Sequence, residues 1–166
     1  IRKETISAIE NCNKAGIKVV MVTGDHPLTA FAIAKELKLA SSYDQVATGD
    51  EVDEYLEKGK NEFDQFIKTK TIFTRVTPIQ KLQIIESYNR QGEFVAVTGD
   101  GVNDAPAIKA ANIGIAMGSG TEVAKETGTM IITDDNFLSI VAGIEEGRNA
   151  YSNIRKVIYM LLSCGI

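Results

Sequence analysis

The sequence predicts an α/β fold in which a doubly wound parallel sheet is flanked by crossover helices and followed by a long C-terminal helix. Along most of the chain, amphipathic helical patterns alternate with short runs rich in β-branched residues. The chain has 166 residues, of which 44% are hydrophobic and 24% charged. This composition is typical of a globular domain that is large enough to bury a core.

In the first half of the chain, helices and strands follow each other closely. The predicted elements are helices over residues 5–15, 27–37, 51–58, 62–68 and 78–90, and strands over 18–23 and 71–74. Gly16 and Gly92 each follow a helix, and Asp50 and Thr77 are the expected N-caps of two others. Because residues 41–70 are polar and the least regular in pattern, we expect them to form a surface insertion.

The pattern in the second half of the chain predicts a shorter alternation of strands and helices, followed by a single long helix. A strand that ends near Thr98 is followed by helices over residues 105–111 and 122–126 and by strands over 113–117 and 129–133. A helix of roughly 28 residues, on the order of 40 Å long, then begins near Asn136. The domain is therefore predicted over residues 1–135, and the long helix over residues 136–166.

The end of that helix is apolar on all sides. Residues 157–164 are far fewer than the roughly 20 apolar residues that cross a bilayer. Two interpretations remain open from the pattern: a terminal helix packed on the sheet, or the start of a truncated membrane span.

The composition also excludes several classes of protein. A net charge of −4 and a pI near 5.1 give no sign of the basic face that nucleic-acid-binding proteins carry. Cys12 and Cys164 lie far apart and form no zinc pattern with the single His26. Two distant thiols are typical of a reducing compartment.

The most informative segment is residues 95–106, an apolar run that ends in a loop carrying two carboxylates. Gly99 and Gly101 allow a tight turn, and Asp100 and Asp104 can offer hard oxygen ligands to a cation such as Mg²⁺. A helix begins just after the loop, and its amide groups favour phosphate. The segment therefore predicts a metal and phosphate site.

A second strand ends in the same tripeptide. Thr23, Gly24 and Asp25 repeat the Thr-Gly-Asp of residues 98–100. One copy alone is most simply a turn and a helix cap. Two copies favour a binding site, because the carboxyl ends of parallel strands share the edge of the sheet where ligands bind.

Three further side chains are candidates for the same edge. Lys81 lies one turn into a helix that follows a strand, so its ammonium can reach phosphate, although an isolated lysine is usually just solvated. Arg75 directly follows a strand and can contact phosphate or a nucleotide, with a surface ion pair as the alternative. Asn103 either hydrogen-bonds within its loop or contacts a ligand.

Glycines also cluster later in the chain. Gly114, Gly118 and Gly120, with Ser119, resemble a phosphate loop in composition, but their spacing fits neither the dinucleotide nor the P-loop pattern. We therefore interpret them as turns.

In their order along the chain, these motifs closely resemble those of the P-type cation-transporting ATPases. The resemblance covers essentially the whole chain and rests on residues 21–26, residues 74–78 with Lys81, and residues 98–106. The run Gly-Asp-Gly-Val-Asn-Asp-Ala-Pro is specific for that family, whereas Thr-Gly-Asp alone is not. The chain looks more like the calcium and sodium/potassium branch than the heavy-metal branch, with calcium as the first expectation.

The resemblance implies a haloacid-dehalogenase-like, Rossmann-like core: the C-terminal part of a phosphorylation domain, followed by the start of the fifth transmembrane helix. It implies Mg²⁺ and ATP as cofactors and a place on the cytoplasmic side of an integral membrane protein. The implied roles are that Thr23 hydrogen-bonds the transferred phosphoryl group, Gly24 offers backbone groups, and Asp25 and Arg75 lie near the nucleotide. Further along the chain, Lys81 neutralises phosphate charge, Asp100 ligates magnesium, and Asn103 and Asp104 order the phosphate and the surroundings of the metal.

One part of the family pattern is missing from this sequence. No Asp-Lys-Thr-Gly-Thr motif, which carries the phosphorylated aspartate of the family, occurs between Ile1 and Ile166. We therefore expect an incomplete sheet, no ATP hydrolysis by the chain alone, and possible self-association at an open strand edge. The transported cation would pass through membrane helices outside this sequence. The alternatives are a soluble phosphatase of the same superfamily and a magnesium- or nucleotide-binding regulatory module.

Overall fold

A computed structural model describes residues 3–164 and shows parallel strands alternating with helices. The elements are α1 (Lys3–Lys14), β1 (Met21–Thr23), α2 (Pro27–Glu36), β2 (Val46–Thr48), α3 (Gly49–Lys58), α4 (Lys60–Thr69), β3 (Ile72–Thr74), α5 (Pro78–Arg90), β4 (Ala96–Gly99), α6 (Ala105–Ala110), β5 (Ile113–Met117), α7 (Glu122–Thr127), β6 (Met130–Ile132) and α8 (Phe137–Cys164). The predicted parallel α/β architecture is confirmed.

The six strands form two separate sheets of three strands each. Their orders are β1-β3-β2 and β4-β5-β6, and every pairing is parallel. All three residues of β3, which has a neighbour on each side, are buried, whereas Ala96 and Thr98 of the edge strand β4 are exposed. The sheet is therefore incomplete, as predicted, and β1, β2, β4 and β6 are each paired on one side only.

Helices join the two sheets. Helix α5 packs against α6, and α1 packs against α8. Ala8 and Cys12 of α1 form a buried cluster with Val141 of α8. An ion pair between the start of α5 and the loop after β4 brings the carboxyl ends of β3 and β4 to one edge. The two sheets are thus linked by packed helices and by this ion pair.

The expectation that residues 41–70 form a surface insertion is wrong. This segment adds β2 to the first sheet, and Phe63, Phe66 and Ile67 of α4 are buried in the largest core cluster. Burying three large apolar side chains outweighs the polar character of the remaining positions. The segment is therefore an integral part of the core.

The expected cap at Asp50 is also wrong, because the N-cap of α3 is Thr48. The Thr48 hydroxyl accepts a hydrogen bond from the Glu51 N–H at 3.3 Å, and the Glu51 carboxylate accepts the Thr48 N–H at 2.8 Å. This reciprocal pair satisfies two amide groups that would otherwise be unpaired, so the helix begins two residues earlier than predicted.

Helix α8 has 28 residues, as predicted. Ile140 and Val141 near its start are buried, and every residue from Glu145 to Cys164 is exposed. Within the described part of the chain, no helix combines the length and the hydropathy that a membrane span requires. Ile1 and Arg2 of the predicted domain, and Gly165 and Ile166 of the predicted long helix, lie outside the described residues.

Candidate phosphate and magnesium site

The candidate site is centred on the loop after β4. Residues 102–104 form a single 3₁₀ turn that brings the Asp104 carboxylate back over the start of the loop. Asp104 Oδ2 accepts the N–H groups of Asp100 and Gly101 at 3.3 and 3.2 Å, and Oδ1 accepts the Lys81 ammonium at 2.7 Å. One carboxylate thus holds both the loop backbone and the lysine from α5.

The loop can close in this way only because residue 99 has no side chain. A Cβ built on Gly99 would lie 2.5 Å from Asp104 Cβ and 2.9 Å from its Cγ. These distances are shorter than real carbon contacts allow. The sequence predicted a tight turn at Gly99, and the structure shows that the glycine is needed for the close approach of Asp104.

Lys81 is positioned by the start of α5. The Thr77 hydroxyl accepts the Gln80 N–H at 3.2 Å, and the Gln80 side-chain carbonyl accepts the Thr77 N–H at 2.8 Å. Gln80 is buried, and its amide nitrogen donates to the Gly49 carbonyl at 3.0 Å. This anchored first turn directs the next residue, Lys81, towards Asp104. The alternative that Lys81 is merely solvated is therefore wrong.

The ion pair is largely shielded from solvent, with 22% of the Lys81 side chain and 17% of the Asp104 side chain exposed. Burial by itself would raise the pKa of the Asp104 carboxyl. The hydrogen bonds from Lys81, Gly101 and Asp100, together with the lysine charge, outweigh burial and hold that pKa below its ordinary value. Asp104 is therefore ionised at neutral pH.

Asp100 differs from Asp104 in being exposed, and Asn103 beside it is exposed as well. Within residues 3–164, no group of three or more His, Cys, Asp and Glu side chains could enclose a metal ion. Mg²⁺ does not need such a cage, because it commonly binds one or two carboxylates together with water and substrate phosphate. The free Asp100 carboxylate therefore fits a magnesium ion that is shared with a phosphate.

The other Thr-Gly-Asp loop lies at the end of β1. The Thr23 hydroxyl accepts the Asp25 N–H at 3.1 Å, and His26 caps α2 by accepting the Leu28 N–H at its Nδ1 atom at 3.3 Å. Gly24 and Asp25 are exposed. This loop thus presents backbone and carboxylate groups to solvent at the same edge.

Arg75 lies beside that loop, because Thr23 is level with Thr74 in the pairing of β1 and β3. Arg75 has a φ of 52°, in the left-handed region that non-glycine residues rarely adopt, and its side chain is exposed. Its carbonyl approaches Gly49 so closely that a Cβ there would lie 2.6 Å from the oxygen. The buried Gln80, which holds the Gly49 carbonyl, supports this arrangement.

The structure therefore divides the predicted residues into two groups. Lys81, Asp100 and Asp104 are joined by direct hydrogen bonds, with Asn103 exposed in the same loop. Thr23, Gly24, Asp25 and Arg75 lie at the carboxyl ends of β1 and β3. Sequence reasoning missed Thr121, whose N–H donates to the Asp100 carbonyl at 2.7 Å. It also missed Gly120, where a Cβ would lie 2.9 Å from that carbonyl oxygen. The only signal for both was the glycine-rich loop that was interpreted as a turn.

Comparison with known proteins supports the family resemblance. A family model described as haloacid dehalogenase-like hydrolase matches residues 1–112. The chain is 51% identical over 97% of its length to a cation-transporting ATPase, pma1, of Synechocystis sp., of which it covers 18%. It is 48% identical over 98% of its length to calcium-transporting ATPase 1 of Bacillus cereus, again covering 18%. The chain thus spans about a fifth of the length of these curated relatives.

A solved structure gives the same result. The structure of a zinc-transporting PIB-type ATPase in its E2.Pi state is 35% identical, with a TM-score of 0.70, and the match covers 94% of this chain and 21% of that one. The resemblance to P-type cation-transporting ATPases is therefore confirmed by sequence and by fold.

Proposed function

This chain belongs to the haloacid dehalogenase-like hydrolases, and from that premise we propose that it supplies the magnesium- and phosphate-binding loops of an ATP-driven cation pump. The observation that carries the proposal is the shielded ion pair between Lys81 and Asp104, 2.7 Å long, beside the free carboxylate of Asp100. Phosphoryl transfer depends mainly on positioning and charge stabilisation, and this arrangement provides both.

Lys81 and the residues of the loop after β4 each have a role in this proposal. Mg²⁺, when bound, neutralises phosphate charge and orients the phosphate oxygens. Asp100 holds the metal, and the Lys81 ammonium contributes a second positive charge at the phosphate. Asp104 fixes Lys81 and the backbone of Asp100, because its carboxylate accepts hydrogen bonds from the Lys81 ammonium and from the Asp100 N–H. Asn103 donates to the phosphate from the same turn.

The loop after β1 and Arg75, which follows β3, complete the proposed site. Thr23 hydrogen-bonds the transferred phosphoryl group, and Gly24 offers its amide. Asp25 and Arg75 lie on the side from which ATP approaches. These roles are supported by the position of the four residues at the carboxyl ends of β1 and β3, where Thr23 is level with Thr74.

The acceptor carboxylate would come from outside these residues. Among the described strands, β1 pairs with β3 and β4 pairs with β5, so each has one unpaired edge. We propose that a parallel strand carrying the phosphorylated aspartate lies between them. Such a strand would convert the two sheets into one and would end at the edge where Thr23, Lys81 and Asp100 lie.

The transported ion is proposed to be calcium. The support is the name of the Bacillus cereus relative, which is nearly half identical to this chain. In this proposal the domain faces the cytoplasm, and α8 leads into the membrane as the start of a transmembrane helix. The cation crosses through membrane helices that lie outside this sequence.

The test is ATP-dependent phosphoenzyme formation by the full-length protein in membrane vesicles. Calcium, sodium, potassium and manganese are screened, and wild type is compared with Asp100→Asn. We expect a calcium-stimulated, acid-stable phosphoenzyme that is strongly reduced in the variant at millimolar Mg²⁺. The absence of a phosphoenzyme with every ion would contradict the proposal, and stimulation by another ion would contradict the assignment to calcium.

The chain by itself is expected to hydrolyse no ATP, because its sequence contains no acceptor motif. The purified 166-residue chain is assayed for release of inorganic phosphate from ATP and from p-nitrophenyl phosphate, with and without Mg²⁺. Turnover of ATP would overturn this expectation. Turnover of the aryl phosphate alone would favour a soluble phosphatase over a pump.

A further inference from the structure

The glycine-rich segment after β5 lies directly against the proposed metal loop. Strands β4 and β5 are paired so that Gly99 is level with Ala116, and residues 118–121 therefore run alongside Asp100. The Gly118 N–H donates to the Ile132 carbonyl at 2.8 Å, and the Gly120 N–H donates to the Met117 carbonyl at 3.0 Å. The segment is thus anchored to β5 and β6 rather than free in solvent.

This segment holds the main chain of Asp100 on one side. The Thr121 N–H donates to the Asp100 carbonyl at 2.7 Å. On the other side of the same residue, the Asp100 N–H donates to Asp104 Oδ2 at 3.3 Å. Both backbone polar groups of Asp100 are therefore fixed, while its side chain remains exposed.

The close contact also requires a glycine. A Cβ at position 120 would lie 2.9 Å from the Asp100 carbonyl oxygen, 3.0 Å from its Cα and 2.9 Å from the Met117 carbonyl oxygen. All three are backbone atoms, which cannot rotate away as the end of a side chain can. An added methyl group would therefore displace the backbone of Asp100.

We propose that Gly120 and the Thr121 amide are positioning groups for the metal-binding carboxylate of Asp100. They fix the direction in which the Asp100 side chain leaves the backbone, and so the place where the cation binds. The inference rests on the proposed role of Asp100 as a ligand. Groups that orient a metal ligand typically change metal affinity by 10- to 100-fold when they are altered.

The first test measures Mn²⁺, a paramagnetic substitute for Mg²⁺, on the 166-residue chain. Mn²⁺ is titrated in the presence of inorganic phosphate while line broadening of backbone amides in residues 99–104 is followed by NMR. We expect Gly120→Ala to weaken Mn²⁺ binding about tenfold.

Gly118→Ala is the matched control. A Cβ there would be equally crowded, at 2.9 Å from the Thr133 Cα and 2.9 Å from its carbonyl oxygen, and its three nearest atoms belong to Thr133 and Ile132 rather than to Asp100. We expect it to lower the melting temperature as Gly120→Ala does and to leave Mn²⁺ affinity within twofold. Equal losses of affinity in the two variants would overturn the inference, because the effect would then be one of general stability.

Asp100→Asn separates the inference from the function on which it rests. If Asp100→Asn abolishes the broadening while Gly120→Ala leaves it unchanged, Asp100 is a ligand and the positioning role is wrong. If Asp100→Asn binds Mn²⁺ as wild type does, or if wild type shows no saturable broadening, the role of Asp100 fails and the inference fails with it.

A second pair of variants tests the amide by replacing its N–H with the ring carbon of proline, which also crowds the Asp100 carbonyl. Thr121 has a φ of −64°, which proline can adopt, so Thr121→Pro removes the N–H that binds the Asp100 carbonyl. Thr121→Ala keeps that N–H and removes the hydroxyl that caps α7 together with the γ-methyl group. We expect Mn²⁺ affinity to fall about tenfold in the proline variant relative to the alanine variant. Equal affinities would overturn the role of the amide.

Discussion

The same three residues, Thr-Gly-Asp, end both β1 and β4, yet the two loops are held in different ways. Gly99 packs against Asp104, and the neighbouring Asp100 is hydrogen-bonded through both its N–H and its carbonyl. A Cβ added to Gly24 would have no atom of the described chain within 4 Å. The first loop, after β1, is held locally, and the second loop, after β4, is also held by two other segments, α5 and the segment after β5.

The difference shows that a motif does not determine how rigidly its residues are placed. The loop after β4 is fixed by Lys81 from α5 and by Thr121 from the segment after β5. A rigid frame of this kind suits a metal and a phosphate whose charges must be matched accurately. The loop after β1, by contrast, leaves Gly24 and Asp25 exposed. The predictions below test this contrast.

The largest effect is expected from Gly99→Ala, with Gly24→Ala as its control in the other loop. The new methyl group would force Asp104 away from Gly99 and from Lys81, so we expect the free energy of unfolding to fall by about 3 kcal/mol. Gly24→Ala is expected to change it by at most about 0.5 kcal/mol. Urea denaturation followed by circular dichroism measures both, and equal losses would show that the two loops are equally constrained.

Lys81→Met is expected to have the next largest effect. It leaves Asp104 shielded and ionised without its partner, which should lower the free energy of unfolding by about 2 kcal/mol. Lys125→Met is the control, because Lys125 pairs with Glu122, whose side chain is 81% exposed. Such exposed pairs contribute about 0.5 kcal/mol. Equal losses in the two variants would contradict the expectation that the shielded Lys81–Asp104 pair stabilises the fold more than an exposed pair does.

Acid should lower the free energy of unfolding by less than Lys81→Met does. Protonation of Asp104 removes a charge but leaves the packing of the second loop in place. The pKa of Asp104 is lower in the folded protein than in the unfolded chain. Its contribution to stability is therefore full above the unfolded pKa, about 3.9, and is lost as the pH falls through the lower, folded pKa. Denaturation from pH 7 to pH 2 should show wild type and Lys81→Met converging in acid. A constant difference would exclude Asp104 as the titrating group.

The smallest effect is expected in the first loop. Thr23→Ala removes one hydrogen bond, from the Asp25 N–H to the Thr23 hydroxyl, at a partly exposed position. We expect a loss of about 0.5 kcal/mol in the free energy of unfolding, recovered in Thr23→Ser, which keeps the hydroxyl. A loss as large as that of Lys81→Met would show that this loop, too, is held by more than local contacts.

The sequence predicted well those elements whose ends carry capping residues. Helix α5 spans Pro78–Arg90, as expected from Thr77 before it and Gly92 after it. Strand β2 was missed because a run of three residues, Val46–Thr48, is too short to show a period. The burial of Phe63, Phe66 and Ile67 was visible as spacing by three and four residues but was masked by the charges around it.

The site could be predicted from the sequence where short motifs along the chain carry its chemistry. The two carboxylates and the lysine were named from the sequence, and the structure joins Lys81 and Asp104 directly. The roles of Gly120 and Thr121 could not be predicted, because their contact with Asp100 depends on the pairing of β4 with β5. Spacing along the chain carries no information about which loops become neighbours in space.

Helix α8 can be considered as a lever. Its base is clamped where Ile140 and Val141 are buried, and a guanidinium nitrogen of Arg148 donates to the Ala15 carbonyl at 2.9 Å. The 16 residues from Asn149 to Cys164 extend beyond that clamp as an arm about 24 Å long. A rotation of the domain by about 10° would carry the tip through about 4 Å, given the rise of the helix per residue. A small rotation at the buried base of α8 thus becomes a linear displacement at its C-terminal end.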